Sequence, residues 1–459
     1  MSVWVSLGYI VLLLTYGLVK GGKAKSWQDF AGAPVHPGLL VITASMCASF
    51  IGGGFSLGNA ERAYSEGIAN TLLLFGFSAG QLCVGLILAP RFKRFAGLGV
   101  VITAGGIIGR AAGDSARMLC GMLSALFCVG VMGAQINAIG MVGGYLFDAD
   151  PKLCSIIGFV VIMIYSTLGG LKASLKSDAV QIAVLGAGLP LALLAALGDI
   201  GGLTHLFESV GTDRLVPTGL YSSAEYVSMF FTFMLGEMLC PPVAQRMLIS
   251  DDAHRIRGAT VLSGLLSIPF FAVTGLIGLC ALALGTTGIP AFAMPSLISS
   301  ALGPFAGGII CAAMLCIYLS SGGAFLNSCA LALCEDVVSV ISQKDMGQHA
   351  KLRLARRINI ICGCAAFAAA VSFDDVLSIL VMSYGFWAPV ILVPLVLALF
   401  GKSFAKGVFM AASAAAALAL IVWRVLDAPF GLSPMLAGLL VNAAAYLLLP
   451  KNPDKRVSF

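Results

Sequence analysis

Charge is the scarcest component of this sequence. Of 459 residues only 10% are Asp, Glu, Lys or Arg, against 59% hydrophobic, and mean hydropathy is +0.99. A soluble chain carries roughly 25% charged residues, so a water-soluble globular protein is excluded, and no stretch reads as a separate soluble domain. Histidine is nearly absent as well. His36, His205, His254 and His349 stand singly in loops, which removes the commonest ligand set for a transition metal. The 13 cysteines lie mostly in apolar runs (Cys47, Cys83, Cys128, Cys240 and Cys316 among them), with no CxxC or zinc-type spacing. Cys362 and Cys364 are two apart, neither a metal nor a redox pattern, so the set reads as small buried side chains with free thiols. Without a clustered His/Cys/Asp constellation, no enzyme chemistry, metal centre or organic cofactor is expected. A basic region is also missing ahead of the first apolar run. Lys20, Lys23 and Lys25 follow it instead, the reverse of a cleaved signal peptide, so the run is expected to remain as a helix with its N-terminus outside.

What the chain has in quantity is long apolar segments. Spans of about 17–25 residues give roughly 13 helices, near 3–19, 38–64, 69–90, 117–147, 153–170, 179–199, 225–248, 258–285, 306–338, 356–372, 378–400, 407–425 and 434–449. With the N-terminus outside and the C-terminus inside, the cytoplasmic segments collect Lys20, Lys23, Lys25, Arg91, Lys93, Arg94, Arg110, Arg117, Lys172 and Lys176. They also collect Arg246, Arg255, Arg257, Lys344, Lys351, Arg353, Arg356, Arg357, Lys402, Lys406, Lys451, Lys455 and Arg456. Only Arg62, Lys152, Arg214 and Arg424 fall outside, the bias that the positive-inside rule requires. The basic runs 91–117 and 351–357 are therefore topology determinants, not nucleic-acid sites. The stretch 200–224 reads as an outer loop with a short helix.

Two spans are interrupted. Three consecutive glycines, Gly52 to Gly54, sit in the middle of the span 38–64, and glycine is a poor helix former. Unwound backbone in hydrocarbon lacks hydrogen-bond partners and is tolerated only where it lines a cavity or binds something. Five spans later, Gly236 and the pair Pro241-Pro242 interrupt 225–248. Two broken helices in corresponding positions are what an inverted repeat of a secondary transporter produces, with its ion and substrate site at the breaks.

A dehydrated sodium ion needs about five or six oxygen ligands, and unwound carbonyls and hydroxyls supply them without burying charge. Ser320 and Ser321, followed by Gly322 and Gly323, are one source, although serine pairs in membrane helices also bond back to their own backbone. Asp178 opens the span 179–199, where it is either an interfacial charge on a helix N-terminus or a functional carboxylate. Glu237 lies within the second break with no basic residue near it in sequence, and an ionisable group at that depth is a candidate for binding a substrate ammonium or a proton.

Four blocks of the chain resemble the sodium:solute symporter family. ASFIGGGFSLGNAERAY (Ala48 to Tyr64) looks like the first core helix of its high-affinity choline transporters. YSTLGGLKASLKSDAVQ (Tyr165 to Gln181) resembles its Gly-Gly loop and the helix start that follows. MLGEMLCPPVAQRML (Met234 to Leu248) is similar to its sixth core helix, and LSSGGAFLNSCALALCED (Leu319 to Asp336) to its eighth. The resemblance implies the leucine-transporter fold in one membrane domain. Its two inverted five-helix repeats would cover 38–199 and 225–400, with peripheral helices at 3–19 and 407–449. It implies a monomeric multi-pass protein of the cell (inner) membrane that imports a small organic solute with Na+ by alternating access. The sodium site it implies uses the carbonyls of Ala48, Ile51 and Ile317 and the hydroxyls of Ser320 and Ser321, with Asp178 assisting. Phe50, Gly53, Gln135, Asn137, Glu237, Cys240, Tyr384 and Trp387 would line the substrate cavity. The chain departs from the choline transporters at Cys240 and Val131, which stand where those proteins place cage aromatics. It departs from the proline transporters at Phe50, where they carry Asp. Glu237 therefore favours an amine-bearing or cationic solute. Proton coupling on the same fold, or a transporter-like sensor with little transport, are the alternative readings.

Overall fold

Helix formation stops at the glycines. The computed structural model describes residues 3–21, 24, 26–31, 38–96, 101–248, 252–343, 346–372 and 376–449, with side chains 14, 16–21, 96 and 168–176 set aside, and every regular element among them is helical. The expectations for His36, Lys20, Lys23, Lys25, Lys172, Lys176, Lys344, Lys451, Lys455 and Arg456 fall outside the described side chains. In order, the helices are α1 (Val3–Gly21), α2 (Leu39–Phe50), α3 (Leu57–Glu66), α4 (Ala69–Cys83), α5 (Ala104–Ala112), α6 (Asp114–Phe147) and α7 (Pro151–Ile200). They continue with α8 (Ser223–Gly236), α9 (Pro241–Leu248), α10 (Ala253–Ala283), α11 (Ala293–Leu331), α12 (Gln348–Ser372), α13 (Val376–Leu399), α14 (Lys406–Val425) and α15 (Pro434–Leu448). Among the described residues nine helices are long and apolar enough to cross a membrane. Shorter apolar helices lie at Val3–Leu13, Leu39–Phe50, Pro151–Thr167 and Pro434–Leu448. The expected outer stretch 200–224 contains the short helix Leu203–Val210.

Both expected interruptions are present. Residues 51–56 separate α2 from α3, and residues 237–240 separate α8 from α9. The two prolines take part in the expected interruption. They occupy the first positions of α9, where a missing N–H costs nothing, and so they start a half-helix and do not bend one.

α7 differs from expectation. The backbone is helical throughout its 50 residues, where two spans joined by a Gly-Gly loop were expected. At a rise of about 1.5 Å per residue a straight helix of that length would be about 75 Å long. It is not straight. The hydroxyls of Tyr165 and Ser177 lie 3.3 Å apart, whereas twelve residues of straight helix climb about 18 Å. Neighbours on α11 show the reversal: Ile162 sits against Gly322 and Ser166 bonds Asn327, yet Asp178 meets Ser320 and Gly188 faces Ile310. One leg runs with α11 and the other against it. The two expected spans are therefore present as two legs, Pro151–Thr167 and Ser177–Ile200, that run in opposite senses.

α11 is the central post, buried along nearly its whole length from Gly307 onward. The two legs of α7 and helix α6 pack around it more extensively than any other elements.

Two basic residues read as topology markers, Arg117 and Lys351, have structural partners. Arg117 Nε donates to Asp336 Oδ1 (3.0 Å), Thr103 Oγ1 donates to the same oxygen (2.8 Å), and Lys351 Nζ donates to Glu335 Oε1 (2.9 Å). This knot ties α5, α6 and α12 to the π-helical end of α11. Arg246, counted as a loop residue, is buried at 2% exposure, because α9 carries it inward along the second half-helix.

Candidate functional site

The first break is anchored on three sides. Gly53 N–H donates to Gln135 Oε1 on α6 (2.8 Å), Ser56 Oγ lies 2.7 Å from Tyr318 Oη on α11, and Ser56 also donates to the Gly52 carbonyl (2.8 Å). Gly53 has to be glycine for space, since a Cβ there would stand 2.1 Å from the Ala138 methyl. The turn satisfies the carbonyls of Gly52 and Gly53, which accept from Ser56 and Gly58. Among the described residues no backbone amide donates to the carbonyls of Ala48 and Ile51.

α11 brings its serine pair to this point. Ser321 Oγ donates to the Ser49 carbonyl (3.4 Å), and Ser320 Oγ donates to Asp178 Oδ1 (2.5 Å). Ile317 lies one turn earlier on the same helix, fully buried. Ser49, Ser320, Ser321 and Asp178 therefore meet at the junction of α2, α7 and α11, with Ala48 and Ile51 beside Ser49 in the chain. The oxygen set suits a monovalent cation: carbonyls and hydroxyls with one carboxylate beside them.

The second break faces the first across a cavity of about 10 Å³, lined by Met46, Ser49, Phe50, Phe77, Gln81, Glu237, Cys240, Val243 and Phe325. That is room for about one water molecule. Two polar groups on its wall are unsatisfied. Glu237 Oε1 and Gln81 Nε2 are buried and have no hydrogen-bond partner, an arrangement that costs about 1–3 kcal/mol per group when nothing binds there. Gln81 was not recognised from sequence, because an amide within an apolar span carries no pattern of its own.

Aromatic rings form the adjoining layer. Phe50 and Phe77 have centroids 5.1 Å apart, Phe55 and Phe77 5.1 Å, Phe55 and Phe271 5.7 Å, and Phe55 and Phe233 6.2 Å. Tyr384 closes the row, 6.5 Å from Phe233, with its ring against Gly236 and its hydroxyl without a hydrogen-bond partner. The depleted cage expected from Cys240 and Val131 is thus accompanied by rings from other helices. Phe233 also lines a second cavity of about 450 Å³, together with Arg62, Tyr221, Met382, Gly385 and Arg424.

Three of the expected cavity residues serve elsewhere. Gln135 holds the first break. Asn137 Nδ2 donates to the Ala370 carbonyl on α12 (3.3 Å), and Trp387 Nε1 donates to Ser124 Oγ (3.0 Å), both away from the 10 Å³ cavity.

Four charged side chains are buried among the described residues: Asp178, Glu237, Arg246 and Asp336. Asp336 is paired with Arg117.

Comparison with known proteins places the chain in a family. The chain is similar to the sodium/pantothenate symporter of Escherichia coli (strain K12), 24% identical over 96% of this chain and 94% of that protein. It is also similar to the human high affinity choline transporter 1, 28% identical over 47% of this chain and 38% of that protein. Its fold matches that of a Na+-coupled sialic acid symporter solved in a substrate-bound outward-open state, with a TM-score of 0.82, 17% identity and 98% coverage of both chains. These relatives are transporters, not enzymes. The sodium:solute symporter family profile matches residues 36–414, and the chain belongs to that family.

Proposed function

We propose that this protein is a sodium-coupled symporter that imports a small organic solute by alternating access. One observation carries the reading: two broken helices face one small cavity, and the serine pair of α11 bonds both the first break and Asp178. Na+ is held by the carbonyls of Ala48, Ile51 and Ile317 and the hydroxyls of Ser320 and Ser321, with Asp178 alongside. The arrangement comprises 13 spans, two inverted repeats at 38–199 and 225–400, the N-terminus outside and the C-terminus inside. The protein works as a monomer in the cell membrane. Uptake into proteoliposomes with and without an inward Na+ gradient tests it, since a sensor without transport shows no accumulation in either condition.

Pantothenate, choline and sialic acid differ chemically, so the residues of this site decide the substrate class. Phe50, Gly53, Gln81, Glu237, Cys240 and Tyr384 form it. A carboxylate beside the faces of Phe50 and Phe77 suits an ammonium, and the Gln81 amide suits an acceptor on the same solute. In Glu237→Gln the preference for amine-bearing over neutral solutes is expected to fall about tenfold, as the loss of a charge-assisted hydrogen bond predicts. Unchanged selectivity in competition uptake would remove Glu237 from the substrate site.

The 450 Å³ cavity is the outer entrance, with the Phe233, Phe55 and Tyr384 layer as its floor. A Cβ at Gly385 meets nothing within 4 Å. Gly385→Trp is therefore expected to fill the entrance and slow uptake about tenfold or more, while leaving Na+ binding intact. Uptake at the normal rate would place the entrance elsewhere.

Proton coupling is the second reading, and the unpartnered Glu237 carboxyl favours it. A pH gradient that drives accumulation without Na+, and fails in Glu237→Gln, would select it.

A further inference from the structure

A guanidinium stands in the protein core next to the proposed ion site, and no carboxylate touches it. Arg246 Nε donates to Ser45 Oγ on α2 (2.9 Å) and Nη1 donates to the Pro242 carbonyl (3.1 Å). Ser45 stands one turn before Ser49, whose carbonyl accepts from Ser321, and Arg246 lies within electrostatic reach of Asp178 without a direct ion pair. Asp178 in turn accepts from Ser320 through Oδ1, while its Oδ2 has no hydrogen-bond partner. The chain Arg246, Ser45, Ser49, Ser321 thus runs from the second broken helix through the first to the serine pair. A buried arginine is costly in a membrane core and persists where it has a counter-charge. Here that counter-charge is the carboxylate beside the proposed sodium ligands.

A sodium ion and a guanidinium that draw on one carboxylate weaken each other's hold. We infer that Arg246 is the resident counter-cation of the sodium site. Its positive charge occupies the field of Asp178 when Na+ is away, and it keeps Na+ binding loose enough for the ion to leave. The hydrogen bond to Ser45 adds a mechanical side, since it ties α9 to α2 while the guanidinium holds this position. The inference rests on the sodium reading above and adds a determinant of ion affinity outside the ligand set.

The test is the thermal stability of the purified full-length protein across Na+ concentrations, with KCl holding ionic strength constant. Arg246→Gln is expected to reach half-maximal Na+ stabilisation at about tenfold lower Na+ than the wild type. Arg246→Lys keeps the charge on a shorter, more compact group, and its shift is expected in the same direction and about two- to threefold. If Arg246→Gln does not fold, the lysine variant carries the test. A wild-type or weaker Na+ response in whichever variant folds overturns the inference while leaving the sodium site standing. A wild type that does not distinguish Na+ from K+ removes the sodium reading and this inference with it.

Discussion

Asp178→Asn is expected to abolish the stabilising response to Na+ and to lower the stability of the protein by about 1–3 kcal/mol, the cost of leaving a buried group without its partner. The two effects have separate causes. The first arises because the carboxylate is the one formal negative charge at the junction of α2, α7 and α11, beside the hydroxyl of Ser320. The second arises because Asp178 is the negative charge within electrostatic reach of the buried Arg246, and a buried cation left without a counter-charge is costly. Thermal unfolding in Na+ and in K+ separates them: both curves shift down, and the gap between them closes. A variant that keeps the gap would place the cation elsewhere. Arg246→Gln in the same chain is expected to recover most of the lost stability but none of the Na+ response, since it removes the stranded charge without restoring the carboxylate.

Gly53→Ala is expected to reduce uptake about tenfold or more, and Ala138→Gly in the same chain to restore most of it. The added methyl would stand 2.1 Å from the Ala138 methyl, so the break must move away from α6. Moving it stretches the hydrogen bond from Gly53 N–H to Gln135, which comes from the same face of α6. Overpacking of this kind costs about 1–3 kcal/mol, and the displacement falls on the segment whose bare carbonyls are proposed to hold the ion. Deleting the opposing methyl reopens the space. Uptake measured for the single and paired variants decides the matter, and a paired variant as inactive as the single one would mean that Gly53 is required for its backbone freedom alone.

The two breaks were legible in sequence because their cause is local. Three glycines, or a glycine and two prolines, stop a helix whatever surrounds them, and the structure shows both stops where the composition put them. The meeting of Ser321 with the first break and of Ser320 with Asp178 came from the resemblance of four sequence blocks, since nothing in one chain's spacing joins positions more than 100 residues apart. Other features had no local signature. Arg246 ends an apolar run and adds to the inside charge count, so sequence logic sends it to a loop. Only the inward course of α9 buries it. The aromatic layer was missed for a related reason: Phe55, Phe77, Phe233 and Phe271 lie on four separate segments, in a chain with 27 phenylalanines that mark no position. The two legs of α7 were legible as two spans, because each is a separate apolar run, Pro151–Thr167 and Ser177–Ile200.

The most direct test of the central claim is equilibrium binding of radioactive sodium to the purified protein, compared between the wild type and Ser320→Ala/Ser321→Ala. The account predicts saturable binding to the wild type, displaced by unlabelled Na+ but not by K+, and its loss in the paired variant. Sodium binding of unchanged affinity without the two hydroxyls would contradict it.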